Sequence, residues 1–181
     1  MDSRIVPQAH PIVSVRSRPG RRSHGWLVAG AKRIPVTLGR AGILANKREG
    51  DGATPRGTFR PVRLWWRADR LPRPRTLLPK RPIRPNDGWC EDPGDRRYNH
   101  PILLKPGVAG DRLCRDDHLY DLIVEIDHNT RPRIAGRGSA VFLHVARPGR
   151  GPTAGCIGME AKALLGLLRV IGPKTRIVVR F

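Results

Sequence analysis

Apolar residues in this chain come mostly in short blocks set off by glycine, proline, asparagine or aspartate, a pattern that predicts strands rather than long helices. Ile12-Val13-Ser14-Val15 and Trp26-Leu27-Val28-Ala29 flank a Pro19-Gly20-Arg21-Arg22 turn signal and read as a hairpin. Residues 33–38 alternate loosely up to Gly39, and 58–64 follow a Gly/Pro-rich loop over 50–57. The clearest strands are 122–126 and 140–145, and 175–181 close the chain as another. Residues 160–171 carry Ala, Leu and Val at helical spacing and stop at Gly172-Pro173, which predicts one amphipathic helix of about three turns. Over 65–85 the pattern breaks into proline and arginine, with Asp69 the one carboxylate. Proline is excluded from helix interiors and central strands, so this stretch is expected as a long excursion over the core or a mobile flap. Residues 1–10 read as a tail. The expectation is a mainly β, sandwich-like single domain over 11–181.

A chain of 181 residues is long enough to bury a core without staples. Its formal net charge of +20 comes mostly from arginine, 29 of the 35 basic residues. Such a field attracts polyanions: nucleic acid, a carboxylate-bearing wall polymer or an anionic membrane surface. No stretch approaches the roughly twenty apolar residues of a membrane span. Residues 1–20 hold scattered arginines and no continuous apolar run, so no secretory signal is legible there. Three cysteines are few for a disulfide scaffold, and no Cys-x-x-Cys pair suggests zinc.

The chemistry-bearing feature lies near the C-terminus. His144 ends an apolar strand and precedes Cys156 by twelve positions. Imidazole can take a thiol proton, and the local sequence Thr153-Ala154-Gly155-Cys156 lets the chain turn sharply just before the predicted helix. A helix N-terminus and loop amides there would favour thiolate. Gly155 and its neighbours are the natural oxyanion donors. Against this stands the ordinary fate of each residue, a buried structural cysteine and a core histidine. Thr153 either offers its hydroxyl to a substrate or fixes the turn. Arg137, between two glycines, either clamps a carboxylate or is one exposed arginine among many. Trp65 and Trp66 amid arginines could stack nucleic-acid bases, or belong to a solvated basic loop, the favoured reading. Gly50-Asp51-Gly52 lacks phosphate-loop spacing and reads as a turn. With Cys156 as nucleophile, Cys90 and Cys114 remain as a possible disulfide pair.

The pattern His144…Thr153-x-Gly155-Cys156-Ile157 resembles the active-site signature of the L,D-transpeptidases, the YkuD-like family of peptidoglycan enzymes. Upstream, Lys47-x-x-Gly50-x-x-x-Thr54-Pro55-x-Gly57-x-Phe59 is similar to a family segment, as are Asp87-Gly88-Trp89-Cys90-Glu91-Asp92-Pro93, Tyr98-Asn99, Leu119-Tyr120-Asp121 and Gly136-Arg137-Gly138-Ser139-Ala140. Two departures concern substrate contacts: Ala154 stands where many members carry a second histidine, and Gly158 where Arg or Asn is common. The resemblance implies a β-sandwich-like domain with Cys156 as nucleophile and His144 as general base and acid. It also implies Tyr98 and Asn99 as cleft residues, peptidoglycan stem peptides as partners, a periplasmic or envelope location, and no metal or organic cofactor. A carboxypeptidase or other cysteine peptidase of wall peptides is the alternative within this chemistry. A basic nucleic-acid-binding module is the alternative from another class, and nucleic acid is the less expected partner.

Overall fold

The computed structural model describes residues 9–181, so positions 1–8 of the expected tail lie outside the described residues. At its end His10 is held: its N–H donates to Val170 O, and its own carbonyl accepts from Thr175 Oγ1. The expected hairpin forms between β1 (Ile12–Arg18) and β2 (Arg21–Ala29), turning at Gly20 with φ 72°. β3 (Lys32–Thr37) follows, then a short pair, β4 (Ile43–Leu44) and β5 (Thr54–Pro55).

The strand expected over 58–64 is two strands, β6 (Gly57–Phe59) and β7 (Pro61–Trp66), broken at Arg60, whose N–H donates to Asp127 Oδ1 at 2.7 Å. β8 (Lys80–Pro82), β9 (Asp87–Trp89), β10 (Pro101–Leu103), β11 (Asp111–Arg112) and β12 (Leu122–Ile126) come next. The chain closes with β13 (Phe142–Val145), β14 (Ile157–Met159), the helix α1 (Ala161–Leu168) and β15 (Arg176–Arg180). Ten of the strands form one sheet in the order β6-β15-β1-β2-β3-β14-β13-β12-β7-β8. Because Arg60 alone separates an edge strand from one near the opposite edge, the sheet must curl back on itself. A single apolar cluster accordingly joins Phe59, Val15, Leu27, Val36, Leu143, Val124 and Leu64 to Leu164, Leu167 and Leu168 of α1. The fold is mainly β with one α-helix, as expected.

Side chains alternate across a strand, so β7, β12 and β13 present a second face. That face carries Trp65, Ile123 and Phe142 into a smaller cluster with Trp89 and Leu113, beneath a three-stranded sheet ordered β10-β9-β11. Burial on both faces explains why 122–126 and 140–145 read as continuous apolar runs.

The 65–85 segment is corrected in part. It opens inside the main sheet: Trp65 and Trp66 end β7 and are 1% and 7% exposed, so neither is available to stack on bases. Pro61 begins that strand, where a missing N–H is tolerated. Between β7 and β8 and again over 83–85 the chain is irregular, and several of the segment's arginines are not free. Arg67 forms a forked pair with Asp69 and donates to Arg115 O, Arg70 pairs with Asp121 at 2.8 Å, and Arg81 pairs with Asp87 at 2.7 Å. The helix is shorter than expected, eight residues, because Val170 N–H turns back to Leu167 O.

Candidate active site

β13 and β14 pair in parallel, with Leu143 opposite Ile157 and His144 opposite Gly158. Leu143 and Ile157 enter the main core, so the alternate positions Phe142, His144 and Cys156 share the other face. The nucleophile and base candidates are thereby brought together by register: twelve residues apart in sequence, two positions apart on neighbouring strands. Gly158, directly opposite His144, has no side chain to cover the imidazole. A Cβ there would lie 2.5 Å from Thr37 Oγ1.

His144 is 6% exposed, with Nδ1 at 2.8 Å from Val145 O. A carbonyl only accepts, so Nδ1 carries the proton and Nε2 is left as the base. Tyr120 packs against the ring at 74° with centroids 5.5 Å apart, and its hydroxyl donates to Asp111 Oδ2 at 2.7 Å. Arg115 lies over the Tyr120 ring, 5.1 Å from its centre. Cys156 is held from two sides: Phe142 N–H donates to Sγ at 3.3 Å, and the thiol donates to Ala140 O at 3.1 Å.

Thr153 fixes the turn before the cysteine. Its hydroxyl donates to Cys156 O at 2.7 Å and accepts from Gly155 N–H at 3.1 Å. Turn-fixing is therefore the role its contacts support, although the residue also lines the cavity. Gly155 N–H is committed to that hydroxyl, which argues against the oxyanion role expected of it. The glycine is required for another reason. Its φ is 151°, and a Cβ would stand 2.8 Å from Ala53 O.

Cys156 and His144 face one cavity of about 400 Å³. Its walls carry Arg40, Lys47, Arg115 and Arg147 as cations and Glu49, Glu91 and Asp111 as acids. Burial pushes the Cys156 thiol up to about 12, further raised by Asp111 and Glu91, against the Phe142 N–H and Lys47. Burial likewise pulls His144 down to about 4 against its bond to Val145 O, with Arg115 and Arg147 adding to the depression. The resting pair is thus neutral thiol and neutral imidazole. The expected assistance from a helix N-terminus is absent, because β14 intervenes between Cys156 and α1. Glu91, exposed at the rim of the cavity, is lifted to about 7 by crowding that thins the water around its carboxyl, with Asp111 and Glu49 adding to the rise.

Three residues expected to touch substrate do not line this cavity. Tyr98 donates its hydroxyl to Glu49 Oε2, which also receives the Ser139 hydroxyl at 2.7 Å. Asn99 is buried behind Ala140, where it accepts the Ala140 N–H. Arg137 is exposed, and its carbonyl accepts from His128 Nε2. Cys90 and Cys114 are both free thiols, so the possible disulfide is not made. The Gly50–Gly52 turn is real and organised by Asp51, whose carboxylate accepts from Arg48 N–H and Ala53 N–H, both at 2.8 Å, and pairs with Lys47. Sequence reading did not single out Asp111, Arg115 or Arg147 as cavity residues. They come from the two-residue strand β11 and from loops, neither with a local signal, and only the covering sheet and the β13 exit loop bring them in.

No curated protein matches the chain by sequence. The profile of the family described as YkuD, L,D-transpeptidase catalytic domain, matches residues 21–179, a span that contains every cavity residue named above. With that span covering nearly the whole chain and the Cys156–His144 cavity inside it, the protein belongs to the YkuD family of L,D-transpeptidase catalytic domains.

Proposed function

We propose that this chain is a cysteine acyltransferase of peptidoglycan stem peptides, working in the cell envelope. The observation that carries the reading is the shared sheet face: Cys156 and an imidazole anchored through Nδ1 open on the same cavity. In the first half-reaction His144 Nε2 takes the thiol proton as Sγ attacks the carbonyl of the third residue of a tetrapeptide. The tetrahedral oxyanion falls to the Cys156 N–H, Gly155 N–H being in use. Collapse breaks the peptide bond, His144 returns its proton to the departing amine of D-alanine, and a thioester remains on Cys156. An acceptor amine then attacks the thioester and passes a proton to His144; the C–S bond breaks, His144 returns that proton to Sγ, and the amide product leaves with the acyl group. The test is mass analysis of the protein incubated with disaccharide-tetrapeptide, with and without an amine acceptor. A covalent gain equal to the donor minus alanine on Cys156 is expected, with crosslinked product when the amine is present. No adduct at all would sink the reading, and release of hydrolysed tripeptide alone would make the enzyme a carboxypeptidase.

With His144 near 4, the basic form is present throughout the neutral range, and acylation is expected to fall only as pH drops through about 4. Ionisation of Glu91 near 7 adds a negative charge facing the thiol and disfavours thiolate, so kcat/KM is expected to decline above about 7. Glu91→Gln should flatten that decline and leave the acid limb in place. An alkaline limb unchanged in Glu91→Gln would place its cause elsewhere.

Anionic wall polymer is the partner proposed for the residual positive field. Among the described residues Arg73, Arg75 and Lys80 form no ion pair, unlike Arg67, Arg70 and Arg81. Replacing Arg73 and Arg75 by Gln is expected to weaken sedimentation with sacculi at low salt, with the difference vanishing once salt screens beyond a few ångströms. Turnover of a small soluble tetrapeptide should be unaffected. A collapse of that turnover would place the loop in the active site instead.

A further inference from the structure

Ala140 stands at φ 50° and Asn99 at φ 55°, both in the left-handed region although neither is glycine. Such conformations persist where the surroundings impose them, and they gather at functional sites. Here the two are joined. Asn99 Oδ1 accepts from Ala140 N–H at 3.2 Å and from Trp89 Nε1 at 3.0 Å, while Nδ2 donates to His128 O at 3.1 Å and Asn129 O at 3.0 Å. A side chain in a residue only 4% exposed thus has both polar atoms fully engaged by parts of the chain far apart in sequence. With its N–H held by Asn99 and its φ at 50°, Ala140 turns its own carbonyl, on the next peptide unit, toward Cys156, and the thiol donates to that carbonyl at 3.1 Å. A thiol has one proton. In the resting protein it lies on a backbone carbonyl rather than on His144 Nε2.

We infer that Asn99 is a positioning residue that locks the Ala140 carbonyl onto the Cys156 thiol, latching the nucleophile until a donor peptide competes for that carbonyl. The inference rests on Cys156 being the nucleophile. Ser139, Ala140 and Val141 line the cavity, so a donor lying along them can bring a backbone N–H to Ala140 O. An N–H donates more strongly than an S–H and displaces it, and the freed thiol turns to His144 Nε2. Only hydrogen bonds change partner, and no covalent bond is made or broken in this step. The charged and titratable groups around Cys156 are Asp111, Glu91, Glu49, Lys47, Arg40, Arg115, Arg147, Tyr120 and His144, and none of them is a hydrogen-bond partner of the Asn99 side chain. A latched thiol is also poorly reactive toward oxidants and stray electrophiles, which attack thiolate.

The test is the rate of iodoacetamide modification at Cys156, followed by peptide mapping across a pH series. Asn99→Gly keeps the left-handed backbone and removes every side-chain bond. It is expected to speed modification about tenfold at pH 8 and to move the profile to lower pH. A folded Asn99→Gly protein whose profile superimposes on the parent would overturn the inference. If Asn99→Gly does not fold, the infrared S–H stretch of the unmutated protein decides, with the Cys156 band assigned by its loss in Cys156→Ser. A band at the hydrogen-bonded position supports the latch, and one at the free-thiol position, or none, overturns it. Neither readout needs turnover, so failure to acylate with tetrapeptide would remove the proposed function without touching these results.

Discussion

Cys156→Ala is expected to abolish the covalent adduct with disaccharide-tetrapeptide, and His144→Ala to slow its formation by about 10²- to 10⁴-fold without unfolding the protein. Both follow from the protonation states of the pair. With Cys156 at about 12, the spontaneous thiolate fraction at neutral pH is negligible, so attack depends on proton transfer to a base during the reaction. His144 is the base proposed for it, on three grounds: burial keeps it neutral, its Nδ1–H is pinned to Val145 O, and it shares the Cys156 face of the sheet. Removing it leaves no other imidazole lining the cavity among the described residues. Cys90→Ser and Cys114→Ser should keep the adduct, since neither thiol lines the cavity. The measurement is intact mass followed by peptide mapping. An adduct that survives in Cys156→Ala, or an acylation rate in His144→Ala within a factor of a few of the parent, would overturn the assignment.

The second large effect concerns stability. Lys47 is a buried cation, its side chain 5% exposed, and its ammonium is paired with Asp51 under the loop that carries Gly155. Asp51→Ala would leave that charge desolvated and unpaired and would strip the acceptor from Arg48 N–H and Ala53 N–H. Breaking one side of such a pair costs about 3 kcal/mol or more. For a domain of this size that lowers the melting temperature by roughly 6–12 °C. Lys47→Met should cost less, because Asp51 keeps its backbone donors, and the double variant should cost less than the sum of the singles. Asp51 also has a defined acid signature. Burial pushes its carboxyl up, but Lys47 and the two N–H groups more than offset this and hold it below the ordinary range. The stability it contributes is present at neutral pH and lost as pH falls below the usual carboxylate value. Calorimetry of the three variants checks this, and an Asp51→Ala protein melting within a degree or two of the parent would refute it.

Much of the fold was legible along the chain. The Ile12–Val15 and Trp26–Ala29 blocks, the Leu122–Ile126 run and the closing strand are bounded by turn residues whose backbone demands are local, so neighbouring residues suffice to place them. The motif around Cys156 was legible for the same reason: Thr153, Gly155 and Cys156 bond to one another within four residues. Sequence periodicity failed where a segment is divided between distant partners. Nothing in Thr58-Phe59-Arg60-Pro61-Val62 announces that Phe59 pairs with β15 and Pro61 with β12. The Arg/Pro stretch misled because its prolines mask a buried Trp65-Trp66 strand end, and because Arg70 finds its acid fifty-one residues away, at Asp121.

What the sequence by itself determined is the class of architecture and the family, and it named the candidate reactive pair, since all three rest on patterns only a few residues long. What only the tertiary structure decided is how that pair is poised. Burial under β9–β11 makes the thiol and imidazole neutral at rest, and the approach of Asp111 and Glu91 sets the charge around them. Asn99 moves from a cleft residue to a buried anchor behind Ala140. Desolvation and through-space charge depend on which surfaces meet, and no local spacing along a chain records that.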